Sequence, residues 1–404
     1  MLKQISLQRQ KLNYYVIIFT LLFGVILYDF IQAKTGFSYI DEILMVFLLL
    51  YGLRYGKRNK EYMCFWGIAI FYLLHSLYDP HNVTPAIYRD FIQQLKPYVT
   101  FYSVLSLDFS IPKSKYRKLQ KFCKYSAFCL IPIGLSGVSY GGLMSAFGGP
   151  PRYATMLTIL GLTYLVYSKQ EKKDIKISLL ICSIGLLSLR SKMFGFFAAF
   201  SGMMFLWHNV KPKKIVSIKT IIIASIILIV MLYVAREKIE FYFVEGTQAE
   251  NMFARPLLYV KSWEILQDYP FFGTGLGSYA TDASAVYYSP LYKEYGLIYS
   301  HEIGEGMFIS DTYFPVFTQF GFVGIFLFLC FWYRRIKDAT RNLSIYSNEL
   351  FFKLAILIVF FFFIESTADS TLTHNRGMMM MILLAIILNN RYDDFPIAKK
   401  SRIR

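Results

Sequence analysis

Charge is what this chain is short of. Only 17% of its residues are Asp, Glu, Lys or Arg, against about 25% in soluble domains. Acids are the scarcer sign, 26 against 43 basic residues, for a formal net charge of +17. No CxxC pair occurs: Cys64, Cys123, Cys129, Cys182 and Cys330 all fall in or beside apolar runs. That argues against a disulfide framework or a zinc site. HExxH spacing is missing too, and neither a metal nor an organic cofactor is expected. The short polar-apolar alternation of an outer-membrane β-barrel is absent. No small-residue cleavage site precedes Asp29, so the first apolar run can itself direct insertion. No internal repeat is visible, which disfavours a transporter built from two related halves.

What is present is apolar: 55% of residues are hydrophobic and 18% aromatic. Runs near 20 residues alternate with basic clusters, the pattern of an all-α polytopic membrane protein. Twelve spans are expected. They are Tyr14–Ile31, Tyr39–Leu53, Tyr62–Tyr78, Phe91–Phe109, Tyr125–Met144, Tyr153–Tyr167, Ile175–Leu189, Met193–Trp207, Thr220–Ala235, Tyr313–Trp332, Leu350–Ser366 and Gly377–Asn390. With the N-terminus inside, most of the 43 lysines and arginines fall on inside loops. The parity then holds for every loop and puts both termini in the cytoplasm. Excess positive charge thus reads as topology, with the lipid bilayer rather than nucleic acid as partner.

The organisation expected is residues 1–235 as spans one to nine, 236–312 as a large external loop, and 313–404 as spans ten to twelve with a basic tail. The stretch from Glu237 to Gly324 begins after one long apolar run and ends inside the next, and the residues between those runs are ones that no bilayer could hold as a span. Outside the cytoplasm it has no direct access to cytosolic ATP or nucleotide sugars.

Several residues there and nearby could carry chemistry. Arg190-Ser191-Lys192 is all that joins two short spans, so both cations sit near the outer membrane face. They either snorkel to headgroups or form a cationic floor for a buried anion such as a lipid-linked diphosphate. Arg255-Pro256 is a helix opening, with Trp263 and Leu266 expected on one face. Gly273, Gly275 and Gly277 permit a tight turn or a close ligand approach; without a preceding strand they imply no nucleotide fold. Asp311, at membrane re-entry, is either a base or the N-cap of the next span. His301, Glu302 and Glu305 are further bases or ordinary solvated residues. Glu365 ends a strongly apolar run and should face the interior or a wet cavity. Asp369, His374 and Arg376 flank the last outer loop, and Arg152 is another outer-face cation. Met378–Met381 read as adaptable packing.

The order Arg255, Trp263, Pro270-Phe-Phe-Gly-Thr-Gly-Leu-Gly277, Asp311-Thr-Tyr313, Gln319-Phe-Gly-Phe-Val-Gly324 resembles the O-antigen ligase and Wzy-type O-antigen polymerase superfamily. Ser191-Lys192 looks like the counterpart of the family's Ser-Arg pair. The resemblance implies a GT-C-like fold and an undecaprenyl-diphosphate-linked oligosaccharide donor. It also implies metal-independent, inverting glycosyl transfer in a bacterial cytoplasmic membrane. Asp311 stands where the ligases have a His, which disfavours a lipid A-core ligase. The expectation is a surface-polysaccharide polymerase (O-antigen or capsule type), with a lipid-linked acceptor and a chain-length regulator protein as partners. Asp311, Glu302 and His301 are the candidate catalytic residues. Arg190, Lys192, Arg255, Arg152 and Arg376 are the candidate diphosphate or glycan ligands. The alternatives are a ligase-type transferase to another acceptor, a flippase of the lipid-linked unit, a SEDS-type polymerase whose motifs are not seen, and a non-catalytic sensor.

Overall fold

The structure is a computed structural model that describes residues 2–107, 109–137, 143, 148–207, 253–299, 303 and 312–389. Among them every regular element is helical. At the centre stands α16 (Asn375–Asn389), whose residues 375–388 are all buried. Met378–Met381 are wholly enclosed within it. A helix apolar on every side needs neighbours on every side. It has them in α5 (Thr84–Ser106), α8 (Pro150–Val166), α15 (Glu349–Ser366) and the N-terminal helical segment.

That N-terminal segment is broken. Helix α1 (Leu2–Phe19) widens into a π-helical stretch, Thr20–Ile26, and α2 (Tyr28–Thr35) departs from it at 58°. A π stretch leaves backbone groups out of the i to i+4 ladder. Here the side chain of Asn375 donates to the Gly24 carbonyl, so the kink is held by the start of α16. The expected first span, Tyr14–Ile31, is therefore two angled pieces.

Among the described residues no single helix is long and apolar enough to cross a membrane alone; only the bent pair Ser6–Ile26 and Tyr28–Thr35 passes together. Helices such as α16, with 15 residues, reach about 22 Å at 1.5 Å per residue, short of a ~30 Å hydrocarbon core. The outer surface is nevertheless apolar. Ile43, Val46, Phe47, Leu50 and Leu53 are exposed along α3 (Ile40–Tyr55), as are Phe322, Phe326 and Leu329 along α14 (Gly321–Tyr346). Such stripes suit contact with lipid chains rather than water.

Two basic loops turn out helical. Lys113–Lys124 belongs to α6 (Lys113–Cys129), and Arg334–Arg341 lies inside α14. Lysine and arginine are good helix formers, so a charge cluster marks where a helix leaves an apolar layer and not where it ends. The tenth span starts later than expected: Phe314–Gln319 is a 3₁₀ turn, and α14 begins only at Gly321. The span expected at Thr220–Ala235 lies outside the described residues.

In the loop, α11 (Ala254–Asp268) opens at Arg255-Pro256 as expected. Trp263 and Leu266 part company, however. Leu266 is buried at 8% exposure while Trp263 is 57% exposed and meets the edge of Phe322 at 6.4 Å. The buried stripe of α11 runs through Leu258, Ser262, Ile265 and Leu266, and Trp263 stands beside it.

Candidate active site

The glycine-rich turn is a joint, not a cradle. Gly273, Gly275 and Gly277 all have positive φ, and each presses its backbone on a neighbour. A β-carbon on Gly277 would stand 2.8 Å from the Ala86 backbone, and one on Gly275 2.9 Å from Ser76 Oγ. The N–H groups are committed to protein. Thr274 and Gly275 donate to the carbonyls of Thr318 and Gln319 at 3.1 and 3.0 Å. Leu276 donates to Ser76 Oγ at 2.7 Å, Gly277 to Asp90 Oδ2 at 2.8 Å and Ser278 to Gln319 Oε1 at 2.8 Å. Asn82 closes the rim by donating to the carbonyls of Gly277 and Tyr287. Of the two readings open for these glycines, the structure takes the tight turn. Ser76, Asp90 and Gln319 are the residues that sequence reasoning missed as its partners. A lone acid in a helix, Asp90, was the available signal.

The open feature lies elsewhere. A small, open cleft is lined by Pro151, Ala154, Thr155, Thr158, Arg190, Lys192, Met193, Phe196, Phe361 and Glu365. Two helices start at it, α8 at Pro150 and α10 (Ser191–Phe205) at Ser191. Helix N-termini carry partial positive charge; α8 opens on Pro150-Pro151, which have no N–H, and its Arg152 N–H is given to the Gly149 carbonyl. The joint leading into α10 is as tight as the short spans demanded. A 3₁₀ turn, Gly185–Ser188, runs into Leu189 at φ 52°, and Arg190 takes the N-cap position.

Lys192 and Arg190 both reach this cleft but differ in company. The Lys192 ammonium donates to Glu365 Oε2 at 2.7 Å and to the Ala368 carbonyl at 3.4 Å. Among the described residues Arg190 has no acidic partner. Glu365 is in the last turn of α15 at 8% exposure, facing the cleft, as the apolar run around it required. Asp369 follows in the loop after α15. Crowding by protein alone would raise its carboxyl, but Lys192 first and His374 next outweigh this and hold it below the usual carboxylate range.

The remaining candidates are placed as follows. Arg152 reaches Asp29 Oδ1 at 2.8 Å, and Arg376 pairs with the other oxygen of the same carboxylate. Together they tie the starts of α8 and α16 to α2. Arg255 does not line the cleft. One turn on from it, the Tyr259 hydroxyl donates to the Thr367 carbonyl at 2.8 Å, which brings the start of α11 to the end of α15, two residues from Glu365. Asp311, Glu302 and His301 lie outside the described residues. Apolar walls lie on one side of the cleft, and the two cations and two helix starts on the other.

Residues 177–329 match the family model described as O-antigen ligase, which supports a place in the O-antigen ligase and Wzy-type superfamily. The matched stretch contains Arg190, Lys192, Arg255, the glycine turn and Gly321–Gly324. No curated protein matches the chain.

Proposed function

We propose that the protein is a membrane glycosyltransferase that joins undecaprenyl-diphosphate-linked repeat units into a surface polysaccharide on the outer face of the bacterial cytoplasmic membrane. The observation that carries this reading is the cleft, where Arg190, Lys192 and the N-termini of α8 and α10 meet beside Phe196 and Phe361. A lipid-linked diphosphate asks for both halves: cations for the phosphates, apolar walls for the first isoprenes.

The chemistry needed is modest. An acceptor hydroxyl attacks the anomeric carbon, the bond from that carbon to the phosphate oxygen breaks, and the electron pair leaves with the diphosphate. The hydroxyl proton goes to a base. Arg190 and Lys192 stabilise the charge gained by the leaving group; Arg255, which does not line the cleft, is proposed as a further diphosphate ligand. Asp311 is the proposed base, with Glu302 and His301 in reserve. The scheme calls on no metal, and direct attack inverts the sugar centre. A chain-length regulator is the further partner proposed.

The test is transfer in vitro by the purified protein with lipid-linked repeat units, scored as polymer. Losing one charge-assisted bond costs about 1.5–3 kcal/mol. Arg190→Ala and Lys192→Ala should each lose roughly ten- to a hundredfold, at unchanged protein level. Wild-type polymer from both variants would remove the cleft from the reaction. Polymer from repeat units alone distinguishes a polymerase; product only when a different acceptor is supplied marks a ligase. Translocation of the units without bond formation marks a flippase.

A further inference from the structure

We propose that Glu365 is the release element of the cleft, the group that sets how fast the spent lipid diphosphate departs; this rests on the glycosyl-transfer reading above. Lys192 has three N–H donors. One is given to Glu365 at 2.7 Å and one leans toward the Ala368 carbonyl at 3.4 Å. The third is left for whatever enters the cleft that Lys192 and Glu365 both line. A phosphate oxygen on that third donor would sit about 4.5 Å from the Glu365 carboxylate, two hydrogen bonds of ~2.8 Å meeting at a tetrahedral nitrogen.

The charge balance of the reaction gives that carboxylate a direction of action. The donor diphosphate is esterified at both ends. When the anomeric bond breaks, the electron pair stays on the phosphate oxygen, and the product carries one more ionisable oxygen than the donor. Attraction by Arg190 and Lys192 therefore grows at the moment when the product must leave. A cleft built of cations alone would hold its product best of all. Glu365, one ammonium away, repels the product more than the donor, because Coulomb repulsion scales with the charge gained. Arg190, which has no acidic partner among the described residues, supplies the steady attraction. Asp369 acts on the same ammonium from the outer loop and adds to the effect from farther out.

Glu365→Gln tests this, since the amide keeps the side chain's shape and its acceptor oxygen for Lys192. Binding of undecaprenyl diphosphate to the purified full-length protein should tighten by about tenfold or more. Steady-state kcat and KM should fall together, by roughly fivefold or more each, while the single-turnover rate of transfer does not fall. A residue that only braces the fold would move neither binding nor the kcat-against-KM pattern in this direction. A proton acceptor would lose its single-turnover rate instead. Unchanged or weaker product binding in Glu365→Gln overturns the proposal. Should that variant fail to fold, Glu365→Asp keeps the charge and withdraws it by one methylene. Product binding then tightens by a few-fold, and absence of any tightening overturns the proposal. If the wild-type protein binds no lipid diphosphate, the transfer reading itself falls. If it binds and Lys192→Ala weakens the binding while Glu365→Gln does not tighten it, only the role of Glu365 is lost.

Discussion

Two of the cation-carboxylate pairs in this bundle differ in what surrounds them. Arg335 is 1% exposed in α14, paired with Glu61 of α4 (Lys60–Tyr78). The rings of Phe101 and Phe331 stand 5.0 and 5.1 Å from its guanidinium, and Glu61 also accepts from Tyr102. Every face of that cation is covered by protein. Lys192 and Glu365 have the same kind of bond, but their pair opens on a cleft and Lys192 is 21% exposed. A buried pair by itself is weak support for stability or for function. The comparison teaches that access separates the two: a closed pair joins helices, and an open one can exchange its partner for a ligand.

The largest effect expected is on transfer itself. Asp311→Asn should fold normally and lose about 10²–10⁴-fold in transfer if Asp311 is the base. Asn caps a helix about as well as Asp, so full activity of this variant with purified lipid-linked units would leave Asp311 only a cap. At the closed pair the loss should be of fold. Arg335→Ala leaves Glu61 with only Arg334 at 3.5 Å and the Tyr102 hydroxyl and should cost about 3 kcal/mol, the low end for a broken buried pair, read as a lower melting temperature in detergent and less protein in the membrane. The comparison breaks if Lys192→Ala destabilises the protein equally.

A smaller loss is expected at the glycine joint. Asp90→Asn removes the charge that accepts from Gly277, a bond worth about 1.5–3 kcal/mol when charge-assisted. Thermal unfolding should shift accordingly, while binding of undecaprenyl diphosphate at the cleft stays at the wild-type level. Weakened binding would mean that joint and cleft act as one site.

The last experiment carries no energetic effect. The two pairs are proposed to lie toward opposite membrane faces. In a Cys-free background, Lys293→Cys should react with an impermeant maleimide in intact spheroplasts, and Lys337→Cys only after lysis. Both positions are exposed, whereas Ser284, another loop position, is fully buried against Tyr292 and would report on neither side. Equal labelling of the two cysteines before lysis would refute the topology.

Much of this was legible in one dimension. Apolar runs between basic clusters gave helices, because runs of that length bury only as helices in an apolar layer. The motif order from Arg255 to Gly324 pointed to the superfamily that the 177–329 match supports. The short spacing around Arg190 and Lys192 forced a tight hairpin with two cations at its tip, and a lone Glu365 at the end of an apolar run had to face protein or water. These are consequences of local chemistry: a charge in a greasy run, a proline at a helix start, a spacing too short for a loop.

Tertiary structure decided the rest. Whether three glycines cradle a ligand or seal a joint depends on Ser76, Asp90 and Gln319, which lie far from them in sequence and are brought there by α4, α5 and the 3₁₀ turn before α14. The kink at Thr20–Ile26 is met by Asn375, from the other end of the chain, which donates to the Gly24 carbonyl. Lys192 and Glu365 are 173 positions apart, so no spacing rule could pair them. Sequence by itself determines which groups must avoid lipid, because that cost is paid residue by residue. Which of them meet is set by packing, since a hydrogen bond needs its partner within about 3 Å and only the folded bundle supplies that distance.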